Sequence, residues 1–99
     1  MSDKKKCIVY IVKLMDKNNK ISYYTGITND PEKRLRQHKG IVSGGATYCT
    51  QRIVLGMGII YLGIDRKIAA TWERNIKRNW PNGYKGKRYM ESEKVVIKG

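Results

Sequence analysis

From Cys7 to Met15 the chain reads CIVYIVKLM, and both alternating sets of positions are mostly apolar: Ile8, Tyr10, Val12 and Leu14 on one side, Cys7, Val9 and Ile11 on the other. A β-branched run without a polar face predicts a strand covered on both sides, hence central in its sheet. DKNNK, Asp16 to Lys20, is a turn cluster whose asparagines tolerate positive φ. A second strand, Ile21 to Thr25, follows at hairpin distance and should pair antiparallel with the first. Asp30-Pro31-Glu32 then supplies an N-cap, a first helical residue and an acidic first turn, so a helix should run to about Lys39 and stop at Gly40. Residues 41 to 50, with Ser43, Gly44, Gly45 and Thr47, read as a loop. Arg52 to Leu62 resumes a strand pattern, where Gly56 and Gly58 mark a bulge or a close backbone approach. Asp65 caps a second helix, Arg66 to about Asn79, stopped by Pro81; Ile68, Trp72, Ile76 and Trp80 form its expected buried stripe. A basic, Gly-punctuated tail follows Asn82-Gly83, with a last strand at Val95 to Ile97. Hairpin, helix, strand, helix describes a small α+β domain with a mostly antiparallel sheet and helices packed on it.

Composition narrows the partners. The 99 residues hold 21 Lys and Arg against 8 Asp and Glu, a net charge of +13. The length suits one domain, residues 1–99, with a core at about 6–80 and a basic tail at 83–99. No apolar run approaches a membrane span, and the start, Met-Ser-Asp-Lys-Lys-Lys-Cys, lacks the apolar core of a secretory signal. Cys7 and Cys49 are too few for a disulfide framework. Together these point to an intracellular, cytoplasmic protein (nuclear for a eukaryotic source) whose partner is a polyanion, nucleic acid before membrane surface.

The chemistry must come from a short list. The chain has no Gly-rich phosphate loop, paired Cys set or His-x-His cluster, and His38 is its one histidine. Seven of the nine aromatics are tyrosines, whose hydroxyls must be satisfied or used. Tyr10 and Tyr24 lie on the paired strands. Arg34 and His38, four apart, share one face of the first helix, which can look back at those tyrosines. Such a set suits a phosphodiester: Arg for phosphate oxygens, His as donor, Tyr as proton acceptor from water. Hydrolysis also needs an electrophile for the leaving oxygen, usually a carboxylate-held metal. Glu73, beside the stripe edge set by Ala69 and Trp80, is the candidate ligand.

Ile8-Val9-Tyr10, Tyr24-Thr25-Gly26, Asn29-Asp30-Pro31 leading to Arg34-Leu35, then His38 and Glu73 together resemble the GIY-YIG endonuclease module over roughly residues 6 to 80, in its compact, single-domain, UvrC-like form. Each piece alone is unspecific; the ordered set is specific. The resemblance implies a metal-dependent DNA endonuclease. Tyr10 would be the general base or polarise the attacking water, with nearby cations or the metal favouring its phenolate. Tyr24 would help to hold water and scissile phosphate, and Arg34 and His38 would grip that phosphate. Glu73 would be the sole protein ligand of Mg²⁺ or Mn²⁺. An asparagine near the phosphate is Asn79 or Asn82. The chain departs from the pattern at Ile8, where the family name has Gly, at Thr25, where it has Ile, and in a slightly long interval between the tyrosines, placed in the DKNNK turn.

The remaining cations should position the duplex: Lys33, Arg36 and Lys39 on the first helix, Arg74, Lys77 and Arg78 on the second, and Lys85, Lys87 and Arg88 in the tail. Such contacts give affinity and register but little sequence readout, so target choice falls to DNA shape or to a targeting partner protein. A bland reading stands beside this one: Tyr10 as a core tyrosine, Arg34 as a solvated charge, Glu73 as an i, i+4 partner of Lys77, and the whole as a catalytically inactive nucleic-acid-binding domain of the same fold.

Overall fold

β1 (Cys7–Met15) is buried along most of its length because it is the inner strand, flanked by β2 (Ile21–Thr28) and β3 (Ile53–Ile64). The computed structural model describes residues 6–95. A short β4 (Glu93–Val95) pairs with β3, which gives an antiparallel sheet in the order β2-β1-β3-β4. The β1–β2 turn closes as its composition requires. Asp16 Oδ1 accepts from the amides of Asn18 and Lys20 at 2.8 and 2.9 Å, and Asn19 takes φ 63°.

Helices cover both faces. Below Tyr10, Val12 and Leu14 lie α1 (Pro31–His38) and the single turn α2 (Thr47–Thr50), which contribute Leu35 and Cys49 to one core. On the opposite face, α3 (Arg66–Asn79) presents Ala69 and Ile76 to Cys7 and Val9. Next to it α4 (Asn82–Glu91) sets Tyr89 against Tyr23 and under the Lys13 ammonium. Asp30 caps α1 through a bond from the Lys33 amide at 3.2 Å, and Asp65 caps α3 from the Lys67 amide at 2.8 Å.

Several boundaries differ from expectation. β2 continues through Gly26 to Thr28, because Gly26 pairs with Tyr10 inside the sheet and does not end the strand. The expected loop at 41 to 50 contains α2, pinned by the buried Cys49. The expected irregular tail is largely α4, whose approach explains two glycines: a Cβ on Gly56 would stand 2.3 Å from the Tyr89 hydroxyl, and one on Gly58 2.1 Å from Ser92 Oγ. Of the strand expected at Val95 to Ile97, residue 95 closes β4, and 96–97 lie outside the described residues. Ile68 is 53% exposed. A strict four-residue repeat drifts about 40° per step on an α-helix. Three steps back from Trp80 have therefore carried it off the buried face, and Ala69 takes its place.

Candidate active site

Tyr10 has no exposed surface, and its hydroxyl meets two side chains of α1. It lies 2.7 Å from His38 Nε2 and accepts from Arg34 Nε at 3.3 Å. Arg34 and His38 are one helical turn apart, so both reach the same atom. The contacts suit one tautomer. A guanidinium can only donate, so with Arg34 on one lone pair the Tyr10 proton is free to point to Nε2; the imidazole proton then sits on Nδ1, which is buried without a partner. Burial, reinforced by the Arg34 charge, pushes the His38 pKa down to about 4. The ring is therefore a neutral acceptor at physiological pH. Burial also raises the Tyr10 phenol well above its ordinary value, outweighing the lowering by Arg34.

Two features hold this group in place. Gly26 stands opposite Tyr10 in the β1–β2 register, and a Cβ there would fall 2.3 Å from the hydroxyl oxygen. Arg34 Nη1 donates to Gln37 Oε1 and to the Gly44 carbonyl, both at 2.9 Å. The strap from Gly40 to Ala46 can lie this close because Gly44 takes φ +108° and a Cβ on Gly45 would meet the Gln37 carbonyl oxygen at 2.0 Å. Tyr24 completes the group. Its ring stands edge-on to His38 at 5.4 Å, nearly parallel to Tyr48 at 6.3 Å, and beneath the Lys77 ammonium at 5.1 Å.

A profile of the GIY-YIG catalytic domain matches residues 6–98. The chain belongs to the GIY-YIG family. Tyr10 and Tyr24, the tyrosines of the two segments that carried the resemblance, lie on one face of the sheet. The chain is similar to proteins named structure-specific endonuclease subunit SLX1. It is 39% identical over 84 residues to the one from Vanderwaltozyma polyspora, covering 82% of this chain and 25% of that relative. With the Candida glabrata protein it shares 38% over 80 residues, 78% of this chain and 24% of the relative. With the Kluyveromyces lactis protein it shares 34% over 92 residues, 90% and 30%. The chain thus spans roughly a quarter of the length of these relatives. They are SLX1 subunits and not UvrC-like proteins, which corrects the narrower part of the resemblance. No solved structure matches the chain.

Within this GIY-YIG domain, Tyr10, Tyr24, Arg34 and His38 converge as the sequence led us to expect, but two details change. His38 is fully buried and its Nε2 is held by Tyr10, so it faces the tyrosine and has no surface with which to grip a phosphate. Tyr10 is held as a neutral phenol, because burial dominates over the neighbouring cation.

Glu73 approaches the group indirectly: its carboxylate pairs with Lys77 at 3.5 Å, and Lys77 caps the Tyr24 ring. GIY-YIG nucleases work with a divalent metal. Among the described residues there is no cluster of three or more His, Cys, Asp or Glu. A single carboxylate such as Glu73 would leave water and phosphate oxygens to complete the shell, an arrangement Mg²⁺ accepts. Asn79 bonds to Asn75 and shares an open depression with Thr71, Arg74 and Arg78. It lies about 120° around the helix axis from Glu73. Asn82, at the exposed start of α4, carries no such bond.

The expected DNA contacts Lys33, Arg36, Lys39, Arg74, Lys77 and Arg78 are all exposed. Lys33 lines a depression of about 270 Å³ together with Arg34, Gln37 and Arg66, and Arg66 was not anticipated. Arg88, expected among the basic tail residues, is instead half-buried. Its Nη1 donates to the Tyr84 hydroxyl at 3.3 Å and its guanidinium lies 5.1 to 5.9 Å from the Trp80, Tyr61 and Tyr84 rings. That cluster ties α4 to α3 and β3. Gln37, Tyr48 and Arg52 were missed as well: Gln37 lies in α1 three residues after Arg34, a spacing that could have found it, whereas Tyr48 and Arg52 lie in or beside a Gly/Ser-rich segment with no periodicity, and only the fold brings them to the site. Both cysteines are buried free thiols. Cys49 sits in the field of Arg34, Arg52 and Lys77, yet burial pushes its pKa up to about 11. Among the described residues no helix is long and apolar enough to cross a membrane.

Proposed function

We propose that this chain is a DNA endonuclease domain that hydrolyses phosphodiester bonds by tyrosine-assisted attack of water, with Mg²⁺ or Mn²⁺ held at Glu73. The observation that supports it best is the Tyr10 hydroxyl, held between a donor, Arg34 Nε, and a neutral acceptor, His38 Nε2. A phenol with a raised pKa is a poor base alone. With an acceptor behind it, it can take a proton from water while passing its own to His38, so that a free phenolate is never required. The Arg34 guanidinium meets the non-bridging phosphate oxygens and stabilises the charge that builds on them. The hydroxide formed attacks phosphorus in line and the bond to the leaving oxygen breaks.

Tyr10 is covered in this conformation. Arg34, tethered to the Gly44 carbonyl, is the group that an incoming phosphate draws outward, opening the Tyr10 oxygen to water. Tyr24, only half-buried, helps to hold that water, and Asn82 contacts the phosphate from α4. A metal at Glu73 supplies Lewis-acid stabilisation of the leaving oxygen; Lys77 neutralises the carboxylate until then. The exposed cations of α1 and α3 hold the DNA backbone. The names of the relatives support a substrate recognised by its structure and a partner subunit, and the matched lengths support further segments in such proteins.

The test is a panel of supercoiled, single-stranded, flapped and junction DNA, with and without Mg²⁺ or Mn²⁺, comparing the parent protein with Glu73→Ala. Metal-dependent cleavage lost in Glu73→Ala, with DNA binding retained, is the expected result. Cleavage by Glu73→Ala at the parent rate removes the metal role. Salt-dependent binding with no cleavage of any substrate establishes instead an inactive binding domain.

A further inference from the structure

We propose that Tyr48 and Arg52, on the far side of Tyr24 from His38, form a binding site for one unpaired DNA base next to the scissile phosphate. The inference deepens the endonuclease reading and rests on it. Four side chains are linked in series beside the buried Tyr10–His38 pair. Lys77 lies over the Tyr24 ring at 5.1 Å, Tyr24 and Tyr48 are within 25° of parallel at 6.3 Å, and Arg52 lies 3.7 Å from the Tyr48 centroid. Tyr48 is 40% exposed although its neighbour Cys49 is fully buried. A single helical turn therefore anchors itself through Cys49 and turns the preceding aromatic outward. The Arg52 guanidinium donates to the Tyr48 carbonyl at 2.9 Å, which holds its planar group over the ring.

An aromatic–guanidinium surface flanked by cations is what an unpaired base recognises: the Arg52 guanidinium plane, backed by the Tyr48 ring, supplies a stacking face that tolerates any base, and the cations attract its phosphate. A base inside a duplex already has both faces stacked and gains nothing there. An unpaired nucleotide does gain, so the surface favours substrates with a free base at the cut. The carboxylates near the stack are Glu73, paired with Lys77, and Asp16, which feels the Arg52 charge.

The full chain is tested with DNA carrying a fluorescent aminopurine at the unpaired position beside the cut, in EDTA so that no cleavage occurs. The parent and Tyr48→Phe should quench its fluorescence on binding, and Tyr48→Leu and Tyr48→Ala should not. In Mg²⁺, Tyr48→Ala should raise the half-saturating DNA concentration on the order of tenfold, with the loss falling on binding more than on the saturated rate. That loss should vanish when the unpaired nucleotide is abasic. Quenching by Tyr48→Ala equal to the parent overturns the site, as does an equal loss on fully paired DNA. Because quenching is read without cleavage, the two readings fail separately. Quenching lost in Tyr48→Ala on DNA that the parent never cuts keeps the base site and removes the endonuclease, whereas cleavage without quenching does the reverse.

Discussion

Gly26→Ala tests how closely the sheet is fitted to its tyrosine. In the β1–β2 register Gly26 faces Tyr10, and a methyl group there would lie 2.3 Å from the hydroxyl oxygen and 2.5 Å from Cζ. Tyr10 is fully buried, so the ring cannot swing into solvent and must press into the core of Val12, Leu35 and Cys49. Overpacking of this kind costs about 1–3 kcal/mol. Displacing the hydroxyl from His38 Nε2 leaves a buried acceptor unsatisfied, for about another 1–3 kcal/mol. Relief of glycine's unfolded-state entropy returns less than about 1 kcal/mol. The net loss is at least roughly 1 kcal/mol, which lowers the melting temperature of a domain this size by about 4 °C or more. Thermal unfolding followed by circular dichroism measures it. Adding Tyr10→Phe removes the oxygen but not the ring carbon at 2.5 Å, so the double variant should recover the loss only in part. A Gly26→Ala melting temperature within about 2 °C of the parent, at most half of the smallest expected shift, would refute the reasoning.

Two further outcomes follow from the same group. The native His38 titrates at about 4 against an ordinary 6.5, so between these values the unfolded chain binds a proton that the native one does not. Stability is then complete above pH 6.5 and falls as pH drops toward 4, by about 2–3 kcal/mol at pH 4.5. Urea unfolding of the parent and His38→Gln at pH 4.5 and 7.5 checks this, and equal pH dependence in the two would count against it. Gly45→Ala puts a methyl 2.0 Å from the backbone oxygen of Gln37, which no side-chain movement relieves. The strap should lift, Arg34 should lose the Gly44 carbonyl, and single-turnover cleavage should fall on the order of tenfold to a hundredfold; an unchanged rate contradicts the role given to the strap.

Strong local signals made much of the fold legible. β1 was readable because a strand apolar on both faces can only be an inner one, and α1 and α3 because Asp30-Pro31 and Asp65 are capping signals that the structure uses. α4 escaped notice because Gly83 and Gly86 argue against a helix and its support is tertiary: Tyr89 on β3 and Arg88 among three rings. The site was legible as a set of residues but not as a set of roles. Spacing shows that Arg34 and His38 share a face. That the imidazole ends fully buried with Nε2 on a phenol depends on packing between elements 28 residues apart. Tyr48 carries no periodic signal at all, since its exposure follows from Cys49 anchoring one isolated turn.

The most direct test of the central claim, that Tyr10 accepts the proton of the attacking water, is the single-turnover cleavage rate of Tyr10→Phe in Mg²⁺ on the best substrate of the panel, with DNA affinity measured alongside. The account expects affinity to be retained and the rate to fall at least about a hundredfold, the usual scale for losing a general base. A Tyr10→Phe protein that binds and cleaves at the parent rate would contradict it.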